Sequence, residues 1–362
     1  MSSEKLTGDL LGDERARTDQ IKKTILESTA GAAERLANRV MRHGARILRG
    51  RRVRMKAFEG RLYSRWAKAL DLYELCVYLA QECGEYFDKT YRPIVAGTKA
   101  YKFEALTRLH GGAARIAGEI YTLLLAGYAS GAHARWRTLH EIATTALFVS
   151  QESDDIAERY LHHRFVKSHE DALDYRKHAK RLNKEPLTDS DMALIEENYK
   201  AALARFGDDF KQPYGWAAPS LKARNPALEK MKRLGFQHVQ DAIQWEHWAP
   251  YYRMASHAVH PTATFIRFNL GTFGDETPIL AGPCNAGLAD PAQGALIALT
   301  NATAALFTYD YSDGLETLDY VQAKISLIAM GLALHATSSV ALDAFIEAHK
   351  ELEAEEISKR VS

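Results

Sequence analysis

Between residues 60 and 125 the apolar side chains return every three or four positions, and this spacing constrains the fold more than any other feature. Leu62, Trp66, Leu70, Tyr73, Val77 and Ala80 form the first run. Leu106, Leu109, Ala113, Ile116, Ile120 and Leu124 form a second, after a break expected at Tyr91-Arg92-Pro93. Such spacing lines one face of a helix, whereas strands need alternation between turn signals. Valine and isoleucine never form that alternation here. The expectation is an all-α helical bundle, with helices over well over half the chain. One small irregular hairpin is expected near 268–279, where Gly271, Gly274 and Pro278 punctuate apolar residues. With 362 residues, 46% of them hydrophobic, the chain can bury a substantial core. The expected layout is a polar leader with a basic amphipathic arm over 1–60, a bundle over 61–350, and a charged tail over 351–362.

Charge is balanced overall at +1, so any attraction to nucleic acid has to come from a local patch. One such patch is plain. From residue 35 to 68, twelve Lys and Arg face Glu59 alone, with Leu36, Val40, Ile47, Val53 and Phe58 interleaved. This predicts an amphipathic helix interrupted near Gly44 and Gly50. It would be a solvated or partner-facing helix, an RNA-binding surface using Arg46, Arg49, Arg51, Arg52 and Arg54, or a membrane-surface helix. Cys76, Cys83 and Cys284 are odd in number and form no CxxC pair, which fits a reducing cytoplasm without structural zinc. The first residues lack the apolar stretch of a secretory signal. Residues 291–309 and 325–342 carry no formal charge. Their Gln, Asn, His, Thr and Ser favour buried helices over membrane spans, so no transmembrane span is expected.

Two polar clusters stand out on otherwise apolar helices. The first lies in Gly131-Ala132-His133-Ala134-Arg135-Trp136-Arg137-Thr138-Leu139-His140-Glu141, where His133, Arg137, Glu141 and Thr144 share a stripe with His140 beside it. Arg137 and Glu141 are spaced to satisfy each other at i, i+4. The second is Tyr251-Tyr252-Arg253-Met254-Ala255-Ser256-His257-Ala258-Val259-His260-Pro261. If helical, it sets Arg253, His257 and His260 on one face. Because ionisable groups are costly to bury separately, the clusters are expected to meet in one network containing Arg137, His140, Glu141 and Ser256. Elsewhere, residues 154–181 read as one charged helix, and 212–219 as a lid or internal boundary. His162, His163, His169 and His178 lack a ligand set that completes a metal site. No phosphate-binding glycine loop, HExxH or GxSxG pattern is present.

The Arg137 to Glu141 motif followed by Tyr252 to Pro261 resembles a bacterial helical family of unknown function, 5677-like, over roughly the central region. The second motif also resembles the Arg, four to six residues, His motif of HEPN nucleases, with six residues between Arg253 and His260 and with Met254 where that motif usually has a polar residue. The resemblance implies an all-helical, usually dimeric, metal-independent RNase of toxin or phage-defence systems. RNA cleavage needs a base for the 2′-OH, an acid for the leaving 5′ oxygen and a cation for the charge on phosphorus. In that reading His260 is the acid or base, Arg253 the phosphate clamp, and His257 or a second subunit the other proton carrier. No cofactor or metal is implied. The partners expected are RNA and a second copy of the chain, with no particular protein indicated. The rival expectation is a non-enzymatic helical interaction module in which Arg137, Glu141 and His260 form a buried structural network.

Overall fold

The computed structural model describes residues 3–260, 270–271, 280–310 and 318–361. Among these residues the chain is helical with no strand, as an all-α bundle requires. The anticipated hairpin at 268–279 lies outside the described residues apart from Leu270 and Gly271, both in a turn. Two compact units are formed, Met1–Arg61 and Leu62–Ser362.

Helix α1 runs without interruption from Ser3 to Val95. The expected breaks at Gly44 and Gly50 do not occur. A glycine inside a helix costs only about 1 kcal/mol, and the Arg, Leu, Ala and Met around these two are strong helix formers. Pro93 does not end the helix on the spot either. It sits in the last turn, where its ring removes a single hydrogen bond before the chain leaves at Val95.

Within the Leu62–Ser362 unit, the periodic stripe of α1 is core: Leu62, Trp66, Leu70, Tyr73, Val77 and Ala80 are all buried. Trp66 donates its indole N–H to Asn285 Oδ1 at 2.9 Å, and the Tyr73 hydroxyl donates to the Ala117 carbonyl at 3.2 Å. Helices α2 (Tyr101–Leu125), α3 (Ala129–Gln151) and α10 (Ala289–Phe307) pack on one another at the centre. Helix α10 is covered on nearly every side because it consists largely of Ala, Gly and Leu. Residues 154–181 are not one helix. They divide at His163 into α4 (Asp154–His162) and α5 (Arg164–His178), and His163 Nε2 bonds to the Gln212 carbonyl at 3.0 Å. Helix α6 (Asp189–Phe206) starts with a capping box between Thr188 and Asp191 and returns along α5.

Residues 212–219 are a packed connection, not a lid. Arg159 donates to the carbonyls of Gly215 at 2.8 Å and Trp216 at 3.2 Å, while Phe210 and Trp216 are buried. Short helices α7 (Ala218–Arg224), α8 (Phe236–Ala242) and α9 (Ala249–Val259) follow, with α8 and α9 both against α3.

The last helix, α11 (Leu318–Val361), corrects the expectation for 325–342. One side is buried through Leu327, Leu334, Ser338, Ala341 and Phe345, but Ile325, Ile328, Leu332 and Val340 on the other side are exposed. By length and composition alone this helix could cross a membrane. Lack of charge identified an apolar helix, but it did not tell which faces have neighbours.

Candidate functional site

Helix α9 is a single short segment whose ends are set by proline. Pro250 occupies its first turn, and Pro261 disfavours helical geometry at the residue before it. His260 accordingly leaves the helix with φ −111° and ψ 126°, while its N–H still donates to the Ser256 carbonyl at 2.9 Å. The expected three-residue face is therefore shortened. Arg253 and His257 stay one turn apart on α9, and His260 projects from an extended backbone beyond it. Arg253 and His260 are exposed, and His257 is half-buried. The expected buried network containing His260 is not formed, since an exposed imidazole at the end of α9 belongs to the surface.

The two clusters are joined by a residue that charge patterning overlooked. Tyr252 reaches from α9 to α3, where Arg137 Nη2 donates to its hydroxyl oxygen at 2.6 Å and the hydroxyl donates to Glu141 Oε1. Arg137 and Glu141 pair directly at 3.1 Å, and the guanidinium carbon lies 4.6 Å from the centre of the Tyr252 ring. Burial, reinforced by the Glu141 carboxylate, raises the phenol pKa and keeps Tyr252 a neutral donor. The ion pair is only partly covered, with side-chain exposures of 27% and 39%. Screening by solvent thus limits its contribution to stability. Ser256 takes no part in the junction, since its hydroxyl bonds back to the Tyr252 carbonyl at 2.9 Å. Tyr252 and buried Ala255 stand three positions apart, so the two share the inward face of α9.

His140 belongs to a different environment. Its ring is buried and parallel to Trp245, with centroids 5.4 Å apart, and the rings of Trp136, Phe236, Trp248 and Tyr252 stand within about 6 Å. The Gln240 amide nitrogen lies 2.9 Å from Nε2. An amide nitrogen can only donate, so Nε2 accepts and the imidazole is neutral. Burial, with nearby His247 adding to it, holds its pKa down at about 4. Such a ring is a poor proton carrier near neutrality. His133 is likewise buried against Trp136, and desolvation lowers its pKa to about 4. The α3 stripe thus divides into an outer pair, Arg137 and Glu141, and an inner set, His133, His140 and Thr144.

Two further histidines on α4 and α5 have local partners. His162 Nδ1 lies 2.9 Å from the Glu158 carbonyl, and His169 pairs with Glu196 at 2.6 Å while stacking on Tyr199. Among the described residues no three His, Cys, Asp or Glu are arranged to hold a metal ion. In the Met1–Arg61 unit, Arg46, Arg49, Arg51, Arg52 and Arg54 are all exposed.

Replacing Tyr252 by Phe tests the junction. The change keeps the ring and removes the hydroxyl while leaving Arg137 and Glu141 paired. The expected cost is about 1 kcal/mol in chemical denaturation. Amide exchange in α9 is expected to quicken more than in α10. Equal protection of α9 in both proteins would mean that the hydroxyl does not hold it.

No curated protein and no solved structure matches the chain. Across residues 103–277, the span from α2 to beyond α9 that carries both polar clusters, the chain matches a model described as a family of unknown function (DUF5677).

Proposed function

We propose that the chain acts on RNA at the exposed end of α9 as a metal-independent endoribonuclease, with Arg253 and His260 as the working pair. The observation that supports this most is the division of labour on α9. Tyr252 and Ala255 attach the helix to α3, while Arg253 and His260 are exposed to solvent where a phosphate backbone could reach them. In the reaction one imidazole removes the 2′-OH proton and the 2′ oxygen attacks phosphorus. The bond from phosphorus to O5′ breaks as a second proton carrier protonates the leaving oxygen. The products are a 2′,3′-cyclic phosphate and a free 5′-OH. Arg253 would hold the non-bridging oxygens, because a guanidinium matches phosphate in a bidentate manner. His257 or a second copy of the chain supplies the other proton carrier. A toxin or phage-defence setting, implied by the HEPN resemblance, and a cytoplasmic location, expected from the cysteine usage, belong to this same proposal.

A second reading has its own support. The Arg137–Tyr252–Glu141 junction fixes α9 to α3 whether or not chemistry occurs there, as a helical interaction module would need. Incubation of the purified protein with total RNA in EDTA separates the two. Cleavage to cyclic-phosphate ends is expected, with a loss of about 10² to 10⁴ in rate for His260→Ala and for Arg253→Ala. Both residues are exposed, so stability should change by no more than about 0.5 kcal/mol. Wild-type protein that leaves RNA intact would overturn the nuclease reading in favour of the module.

A further inference from the structure

Unit Met1–Arg61 holds one helix with an apolar half and a cationic stripe. At 100° per residue, Ile25, Leu26, Leu36, Val40, Ile47 and Leu48 fall within one half of the helix, with Ala30, Ala33, Ala37 and Gly44 between them and Thr29 and His43 as its polar members. Each of those six large side chains is between 48% and 69% exposed. On the opposite side Arg35, Arg39, Arg42, Arg46 and Arg49 alternate at spacings of four and three, and no acidic residue occurs between Arg35 and Phe58. Residues 1–61 carry 15 Lys and Arg against 8 Asp and Glu, a net of +7, while the rest of the chain is −6.

We infer that residues 25–49 bind the surface of a bilayer containing anionic lipid, lying in its plane with the apolar half among the acyl chains and the arginines at the headgroup phosphates. Charge and apolar pattern choose this occupant together. A nucleic acid would engage the arginines but leave Leu36, Val40 and Ile47 in water. A second copy of the arm would cover the apolar half but would leave both arginine stripes facing water without a counter-charge. An anionic bilayer satisfies both faces, because its interface offers hydrocarbon below and phosphates above. The uncharged run in α11 differs in kind, since no cationic stripe accompanies it.

Co-sedimentation of the full-length protein with vesicles tests the inference. One set is phosphatidylcholine alone, and the other is phosphatidylcholine mixed with phosphatidylserine. The protein is expected to pellet with the mixed vesicles and to be released by high salt. Arg39→Ala/Arg42→Ala/Arg46→Ala should weaken partitioning by about two orders of magnitude. Leu36→Ser/Val40→Ser/Ile47→Ser should weaken it at least as much, with circular dichroism confirming that the protein remains helical. Three outcomes would overturn the inference: equal binding to neutral vesicles, binding that survives the serine changes, or RNA retention or self-association through the arm without vesicle binding.

Discussion

Acidification from pH 7 to pH 4 is expected to destabilise the Leu62–Ser362 unit by on the order of 10 kcal/mol, enough to unfold a domain of ordinary stability. His110, His133 and His140 are each at least 97% buried and held to a pKa of about 4 by desolvation. In the unfolded chain these imidazoles bind protons near pH 6.5, so between pH 6.5 and 4 the unfolded state is the more protonated. The stability that they contribute is complete above about pH 6.5 and falls as the pH drops toward 4, by about 3 kcal/mol for each ring. His110 shows why the folded state resists protonation. Thr303 donates its hydroxyl proton to the Leu299 carbonyl at 2.9 Å, so its oxygen accepts from His110 Nε2 at 3.1 Å. The other edge of the ring lies where a Cβ on Gly84 would stand, 2.5 Å from Nδ1. Thermal melts between pH 7.5 and 4 read the effect directly. A melting temperature that stays flat over that range would show that the three rings are accessible to protons in the folded state.

Trp136→Ala should cost about 3 to 5 kcal/mol in chemical denaturation, the range for removing a large buried aromatic side chain. The indole is 2% exposed, with His133 and His140 each 5.3 Å away and Trp248 6.1 Å away between ring centres. On the α10 side it lies so close to Gly294 that a Cβ there would stand 2.6 Å from Nε1. The ring therefore fills the α3–α10 interface and supports Trp248, which precedes α9. Its loss should lower global stability and also speed amide exchange in α9. A cost under about 1 kcal/mol would indicate that neighbouring rings collapse into the space.

The helices were legible because the residues that form them repeat. Each of the twelve positions in the two apolar runs between Leu62 and Leu124 is buried. The Arg137–Glu141 pair was legible for the same reason, since four residues make one turn. Tyr252 was not, because a phenol reads as an apolar anchor until a charged partner from α3 is brought to its hydroxyl. The rings around His140 were hidden by distance along the chain. Phe236, Trp245 and Trp248 come from separate short segments, and no periodicity links them to residue 140. For His260 the sequence holds two opposed signals, helical spacing from Arg253 and the steric effect of Pro261 on the residue before it, and in the structure the second prevails.

The near-complete enclosure of α10 limits how this protein can vary. Most core helices present large side chains that tolerate exchange among Leu, Ile and Met. Here Ala292, Gly294, Ala295, Ala298, Ala302 and Ala305 make up much of the contact surface, beside buried Leu296, Leu299 and Leu306. Sequence drift at Gly294 is therefore one-sided, because an added carbon there must displace the Trp136 ring. Variation in this part of the protein would have to enter through large residues such as Leu296, Leu299 and Leu306 and those facing α10, while residue 294 would stay small.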